Sequence, residues 1–373
     1  MELNDILKIA LQAGASDIHI KAGMPPIFRI DGVLRPLKDA PRMTPDQIAN
    51  LAVSIMTDWH REKFRIDNEV DLAYGVPGLG RFRANVFRQR GAVGMVLRAI
   101  PFRILSIEQL NLPPIIGDLA MEERGLILCT GTTGSGKSTT LAAMIDHINA
   151  HNTDHIITIE DPIEFLIRDK RSIINQREVG SDTRNFSIAL RSALRQDPDV
   201  ILVGEMRDME TIETALVAAE TGHLVLSTLH TLDATETINR IVGIFPPHQQ
   251  KQIRIQLSAT LKAVISQRLV PRSDGQGRVP ACEILVATGQ VRELIEDKER
   301  TKEIAQAIKK GFQQYGMQTF DQSLLFLMQQ GFITYEDALK YASNRDDFAL
   351  YVSGIESTSD ATWDDFGGKK REQ

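Results

Sequence analysis

Gly131-Thr132-Thr133-Gly134-Ser135-Gly136-Lys137-Ser138 fits G-x-x-x-x-G-K-[ST], the pattern of a loop that cradles phosphate. The apolar run Leu126-Ile127-Leu128-Cys129 precedes it and reads as a buried strand. After it, Thr139 to Ala150 carries Leu141, Ala142, Ile145 and Ile148, as a helix would. Strand, loop and helix together form the context this chemistry needs. The glycines let successive backbone N–H groups turn toward phosphate oxygens. The helix that follows adds partial positive charge where the anion sits. Lys137 can reach the β- and γ-phosphates of ATP, and the Ser138 hydroxyl can ligate Mg²⁺. The expected nucleotide-binding set is Gly131, Thr132, Thr133, Gly134, Ser135, Gly136, Lys137, Ser138 and Thr139, with Ser138 also the metal ligand.

Outward from this loop, apolar strands alternate with helices, as in α/β folds. Strands are expected at Gly125–Thr130, His155–Glu160, Val200–Gly204, Leu224–Leu229 and Val279–Val286. Helices are expected near 139–150, 185–195, 209–221, 233–242 and 247–268. Nearly continuous apolar strands point to a parallel sheet buried on both faces. In such a sheet the carboxyl ends of the strands face the ligand. That places Glu160, Asp161 and Glu164 toward the edge that holds the phosphate loop. It also places Glu205, at the end of Val200-Ile201-Leu202-Val203-Gly204, where a carboxylate can orient water. Asp199, at the other end of that strand, is read as structural. His223 and His230 bracket the next strand at an odd spacing of seven, which disfavours a shared metal. A histidine beside phosphate can donate a hydrogen bond to it; a core or capping role suits the same positions.

Upstream, residues 1–100 read as a compact α+β domain. A helix covers 3–13, and Asp17 to Lys21 alternates like a strand. Ile27–Ile30 and Val33–Leu37 flank Asp31-Gly32, a two-residue hairpin signal. Thr44 to Lys63 reads as one helix, with Thr44 as cap and Pro45 at its first position. Val70–Ala73, Arg81–Phe87 and Ala92–Ile100 read as antiparallel strands. Arg81, Arg83, Arg88, Arg90 and Arg98 make these strands basic, which by composition alone is a solvated face. Residues 101–114 hold three prolines and read as a linker. Downstream, 288–352 reads as helix throughout, and 353–373 as a flexible tail.

The chain has 373 residues, 42% hydrophobic and 25% charged, which suits a soluble globular protein of two to three domains. A net charge of −6 and the absence of an aromatic-rich basic stretch set no expectation of nucleic acid. Two cysteines, Cys129 and Cys282, exclude a disulfide framework and a four-cysteine zinc site. Met1 to Ala15 lacks a signal peptide's features, and no run of 18 apolar residues exists, so the cytoplasm is the expected location.

Four pieces in order resemble the secretion ATPases. They are Gly131–Ser138; the acidic run Thr158-Ile159-Glu160-Asp161-Pro162-Ile163-Glu164; Gly204-Glu205-Met206-Arg207-Asp208; and His223 with Ser227-Thr228-Leu229-His230-Thr231. Within that superfamily the chain is similar to type IV pilus retraction ATPases of the twitching-motility kind, from residue 1 to about 350. Gly316-Met317-Gln318-Thr319-Phe320-Asp321-Gln322 looks like that family, and no cysteine-rich zinc insertion is present. Gln290-Val291-Arg292-Glu293-Leu294-Ile295 matches the family's Ala-Ile-Arg-Asn-Leu-Ile at Arg292, Leu294 and Ile295.

The resemblance implies a PAS-like domain over 1–100, a RecA-like P-loop ATPase domain over 115–287 and a C-terminal helical bundle over 288–352. It implies catalytic roles for Glu205, Glu164, Lys137, Arg83, Arg98 and His230, with His223 added to the nucleotide site. It implies a homohexamer that hydrolyses ATP with Mg²⁺ at the inner membrane. There it would work on a pilus platform protein and alongside a paralogous retraction ATPase. Pilus assembly and type II secretion are neighbouring functions in the same superfamily. A nucleic-acid motor is the alternative from outside it.

Overall fold

The computed structural model describes residues 2–352 apart from Asp31 and Phe102. The expected tail at 353–373, and the Asp31 of the hairpin signal, lie outside the described residues. The chain forms two compact units. One is Met1–Arg103 with Glu164–Leu166; the other begins at Ile104.

In the first unit, α1 (Leu3–Gln12) buries Leu3, Ile6, Leu7 and Ala10, the apolar stripe of an amphipathic helix. Strands β1 (Asp17–Ile20), β2 (Ile27–Ile30) and β3 (Val33–Pro36) follow. Then come α2 (Pro45–Ile55), α3 (Asp58–Asp67), β4 (Glu69–Val76), β5 (Gly80–Gln89) and β6 (Ala92–Ala99). The helix expected over Thr44–Lys63 is two helices. Met56 is extended at φ −93° and ψ 132°, and the Thr57 side chain caps α3 by accepting from the His60 N–H. A hydroxyl that competes for backbone donors ends one helix and starts the next. The strands form one antiparallel sheet in the order β3-β2-β1-β6-β5-β4. Ile18, Phe28, Leu72, Phe82, Val86, Met95 and Leu97 form its core with the stripe of α1 and with Ile48 and Ala52 of α2.

The second unit opens with α4 (Ile115–Ala120), β7 (Gly125–Thr130), α5 (Lys137–His151), β8 (His155–Glu160) and β9 (Ile173–Glu178). It continues with α6 (Phe186–Ala193), β10 (Val200–Val203), α7 (Met209–Glu220), β11 (Leu224–Leu229), α8 (Ala234–Gly243), α9 (Pro247–Thr260), β12 (Leu261–Pro271) and β13 (Arg278–Val286). The sheet order is β13-β12-β7-β11-β10-β8-β9. Alternate residues of β7 face opposite cores: Leu126 and Leu128 one, Ile127 and Cys129 the other. The sheet is thus covered on both faces, as the apolar strands imply.

Three expectations need correction. The helix expected over 247–268 ends at Thr260, and Leu261–Pro271 is a strand. Ile253, Leu257, Leu261 and Val264 keep helical spacing, but the edge of β7 takes Leu261–Ser266 as a parallel partner. The sheet is also not wholly parallel, since β13 runs antiparallel to β12. Within 101–114, Ile107 and Leu112 are core residues of the second unit beside Ile116, so most of that stretch is packed chain. The edge strand β9 was not anticipated, because Ile173-Ile174-Asn175-Gln176-Arg177-Glu178 is largely polar. No helix among the described residues is long and apolar enough to cross a membrane.

After β13 come α10 (Gly289–Glu296), α11 (Ile304–Lys310), α12 (Phe312–Tyr315), α13 (Phe320–Gln329), α14 (Tyr335–Tyr341) and α15 (Arg345–Val352). Phe320, Leu324 and Leu325 of α13 pack on Val270, Val279 and Ala281 of the sheet's last two strands. A polar network tightens that junction. Arg268 Nη1 donates to the Tyr341 carbonyl at 2.6 Å, and its guanidinium lies 3.8 Å from the Phe320 ring centre. The charges of Glu283, Asp321 and Asp233 surround it. Glu283 Oε1 accepts the Ala234 N–H, at the start of α8, at 2.9 Å.

Burial pushes the Glu283 carboxyl up to about 7, with Asp233 and Asp321 adding to the rise. Its pKa in the folded chain therefore exceeds the ordinary 4.5. Stability from this group is complete below that ordinary value and is lost as pH rises through about 7. Glu283→Gln keeps an acceptor for Ala234 and removes the charge. We expect it to exceed wild type in urea unfolding at pH 8 by about 1–3 kcal/mol, with the gap closing near pH 5. A less stable Glu283→Gln at pH 8 would show that the carboxylate is needed in its charged form.

Candidate active site

The phosphate loop leaves β7 at a point where no side chain fits. Gly131 sits at φ +139°, and a Cβ there would lie 2.5 Å from both the Gln267 carbonyl and Ser135 Oγ. Gly134 and Gly136 are also left-handed, at φ +78° and +98°. The loop then enters α5 at Lys137, whose Nζ donates to the carbonyls of Gly131 and Thr132 at 2.8 and 3.0 Å. Burial pulls the Lys137 pKa down, while the charge of Glu205 opposes the fall. Glu205 is thus close enough to Lys137 to be felt across the site. Ser135 Oγ is buried without a hydrogen-bond partner among the described residues. A buried hydroxyl left unpaired is costly, and an oxygen-rich anion in the loop supplies the missing partner. Thr132, Thr133, Gly134 and Ser138 are exposed, with Thr139 half-buried.

Strand β12 backs the loop. Thr130 Oγ1 donates to Ser266 Oγ at 2.8 Å, and Gln267 Nε2 donates to Thr140 Oγ1 at 2.8 Å. Sequence reasoning missed both residues. The available signal was a Ser-Gln pair interrupting the apolar run Ala263-Val264-Ile265.

Across β11, the end of β10 carries the carboxylate. The Gly204 N–H donates to the Ile159 carbonyl at 2.7 Å. A Cβ on Gly204 would lie 3.1 Å from that carbonyl and 3.3 Å from Glu160 Cα. The close approach accounts for glycine at this position. Glu205 Oε1 is 2.6 Å from Arg207 Nε, and Oε2 is 3.6 Å from His230 Nε2. The latter distance is an ion pair when His230 is protonated and too long for a hydrogen bond. Ser227 Oγ and Thr228 Oγ1 donate to the carbonyls of Val203 and Gly204, both at 2.7 Å, and so lock the two strand ends together. Glu205, Arg207, His230, Thr231, Glu236 and Arg240 line a cavity of about 380 Å³ at this edge.

The sequence profile of the type II/IV secretion system protein family matches residues 1–340. The chain belongs to this family. This secretion ATPase is 46% identical over 348 residues to the type IV pilus retraction ATPase PilT of Pseudomonas aeruginosa, covering 93% of this chain and 100% of that one. It is 44% identical over 361 residues to the type IV pilus ATPase PilU of the same organism, covering 96% of this chain and 94% of that one. The crystal structure of the pilus retraction motor PilT with bound ADP superposes with a TM-score of 0.84 at 52% identity, over 93% of this chain and 98% of that one.

The secretion ATPase does not gather every expected site residue at its phosphate loop. His223, expected at the nucleotide, lies elsewhere in the same unit. It precedes β11, and Leu224 pairs with Gly125, at the amino end of β7. The loop lies past the other end of β7, six strand residues or roughly 20 Å away. His223 Nδ1–H donates instead to the Ala218 carbonyl at 2.9 Å and closes the turn after α7. Asp199 is structural as expected, accepting the His155 N–H at 2.8 Å. Glu160 lies at the carboxyl edge but accepts from Thr158 Oγ1 and Gln176 Nε2 at 2.7 and 3.1 Å. Glu164 and Arg83 and Arg98 belong to the first unit. There Arg83 and Arg98 are direct cross-strand partners on β5 and β6.

The crowding at Gly131 makes a specific prediction. Gly131→Ala should weaken binding of a fluorescent nucleotide by at least about tenfold and lower the melting temperature, since backbone must move. Gly134, left-handed but with nothing within 4 Å of an added Cβ, is the control. Gly134→Ala should cost only about 1 kcal/mol of backbone strain. Equal effects at the two positions would sink the packing argument.

Proposed function

We infer that this chain is an ATP-hydrolysing motor that powers type IV pilus retraction. The observation that carries the reading is the phosphate loop and Glu205 at one sheet edge, in a chain similar over 93% of its length to a pilus retraction ATPase. Residues 131–139 hold the phosphates through backbone N–H groups and the start of α5. Lys137 neutralises the β- and γ-oxygens, leaving its contacts with the Gly131 and Thr132 carbonyls in part. Arg207 holds one oxygen of Glu205, and the other is directed to the attacking water, with His230 beside it. A water so oriented attacks the γ-phosphorus, and ADP leaves with its charge met by Lys137.

The described residues contain no group of three His, Cys, Asp or Glu able to hold a metal. An exposed hydroxyl at the start of α5 suits Mg²⁺ shared with the nucleotide, for which phosphates and water complete the shell. The exposed Ser138 hydroxyl is the residue that would hold it. When bound, Mg²⁺ supplies positive charge against the phosphate oxygens.

Glu164, Arg83 and Arg98 complete this reading as site residues of the assembled ring, a homohexamer at the inner membrane that acts on a pilus platform protein. A second reading, an accessory motor beside a paralogous ATPase, is favoured by the near-equal identity to PilU. Deleting the gene separates the two. Cells that keep surface pili but lose retraction have lost the main motor; cells that still retract, with less force, have lost an accessory one. Normal retraction force and normal piliation would overturn both.

Two substitutions test the chemistry. Lys137→Ala should abolish turnover and weaken ATP binding. Glu205→Gln should bind ATP but turn it over roughly 10²-fold or more slowly, because the amide keeps the size and loses the charge. Near-normal hydrolysis by Glu205→Gln would move the water-orienting role to Glu164.

A further inference from the structure

Four charged residues lie side by side across the sheet of the first unit. Register pairs Arg29 with Asp17, Asp17 with Arg98 and Arg98 with Arg83. Directly opposed residues share a face, so the row reads cation, anion, cation, cation. The anion is the buried member: the Asp17 side chain is 9% exposed and that of Arg98 70%. Asp17 Oδ1 accepts the Arg98 Nε–H at 2.8 Å. Oδ2 accepts from Ser16 Oγ at 2.8 Å and lies 4.0 Å from Arg29 Nε. Burial alone raises the Asp17 pKa, but the hydrogen bonds from Arg98 and Ser16 outweigh it and hold the carboxyl below its ordinary range.

A buried carboxylate is a poor way to stabilise a sheet. Well-packed apolar residues serve as well or better in its place, whereas an unpaired buried charge is strongly destabilising. What the carboxylate does supply is direction. A guanidinium has five N–H donors in a rigid fork. A grip on Nε uses one, fixes the plane, and leaves the four Nη donors. Arg83, opposite, adds a like charge at a Cβ separation of about 5 Å. Two opposed cations repel, and an anion set between their ends relieves that repulsion.

We propose that Asp17 is the positioning residue for Arg98. It holds the guanidinium by Nε, so that the Nη donors of Arg98, with Arg83, form a fork for the terminal phosphate of ATP. This rests on the role assigned above to Arg83 and Arg98.

The test uses the full-length assembled protein. ATP turnover is measured with the affinities for ADP and for the slowly hydrolysed analogue ATPγS. Asp17→Ala should lower kcat/KM and ATPγS affinity about tenfold or more, with ADP affinity unchanged. Asp17→Asn, which keeps the shape and an acceptor for Nε–H, should show a smaller loss of the same kind. It also serves as the readout if Asp17→Ala fails to fold. Arg98→Ala should reproduce the pattern, and adding Asp17→Asn to it should change nothing further. Normal turnover in both Asp17 variants, with Arg98→Ala impaired, overturns the positioning role and leaves the Arg98 assignment standing. Normal turnover in Arg98→Ala overturns that assignment and this proposal with it. Equal loss of ADP and ATPγS affinity, or additive losses in the double variant, makes Asp17 a stability residue and overturns the proposal.

Discussion

The close approach of β12 to the phosphate loop is the constraint on which the catalytic edge depends. The Gln267 carbonyl stands 2.5 Å from where a Cβ of residue 131 would be. The Gln267 side chain holds Thr140 on the helix beyond the loop. The backbone of 131–137 is therefore fixed from both ends, with its left-handed glycines free of side chains between. A phosphate site made of backbone N–H groups works only if those groups are already aimed, since aiming them on binding would consume the affinity. The same strand continues into Arg268, which reaches the Tyr341 carbonyl at the end of α14. One strand thus ties the loop to the C-terminal helices.

Parallel register does for Glu205 what β12 does for the loop. Val203 pairs with Ser227, and Ser227 pairs with Leu128. The ends of β10, β11 and β7 therefore stay level, and residues far apart in sequence face one crevice. Gly204 is the local condition for this. Its N–H binds the end of β8, and its missing side chain lets that backbone approach. The glycine is a packing requirement and Glu205 carries the chemistry, in adjacent positions.

The first unit follows different rules. One face of its antiparallel sheet is core, and along the other lies a row of cations around one buried carboxylate. Such a row is unfavourable by itself, because like charges stand opposite one another. It is maintained at the cost of buried charge, and its use lies in what it can bind. A carboxylate that fixes one nitrogen of a guanidinium converts a long, mobile side chain into a directed donor.

Local patterns in the chain determined a good deal. The phosphate loop, its flanking strand and helix, and the capping of α2 by Thr44 are all matters of neighbouring residues. So are the apolar strands that demanded a two-sided sheet. The helix break at Met56–Thr57 was legible as well, had the hydroxyl of Thr57 been weighed against the apolar spacing. The tertiary structure alone decided the rest. Leu261 and Val264 carry on the helical spacing of Ile253 and Leu257 yet lie in a strand because β7 has an edge to fill, a fact that lies over 130 residues away in the chain. His223 sits near a recognisable motif yet lies at the wrong end of its strand, since register, not sequence distance, sets which end a residue occupies. The pairing of Asp17 with Arg98 joins residues 81 apart. Local propensity acts over a few residues, whereas pairing and charge contact act through space, and only the folded chain brings those partners within reach.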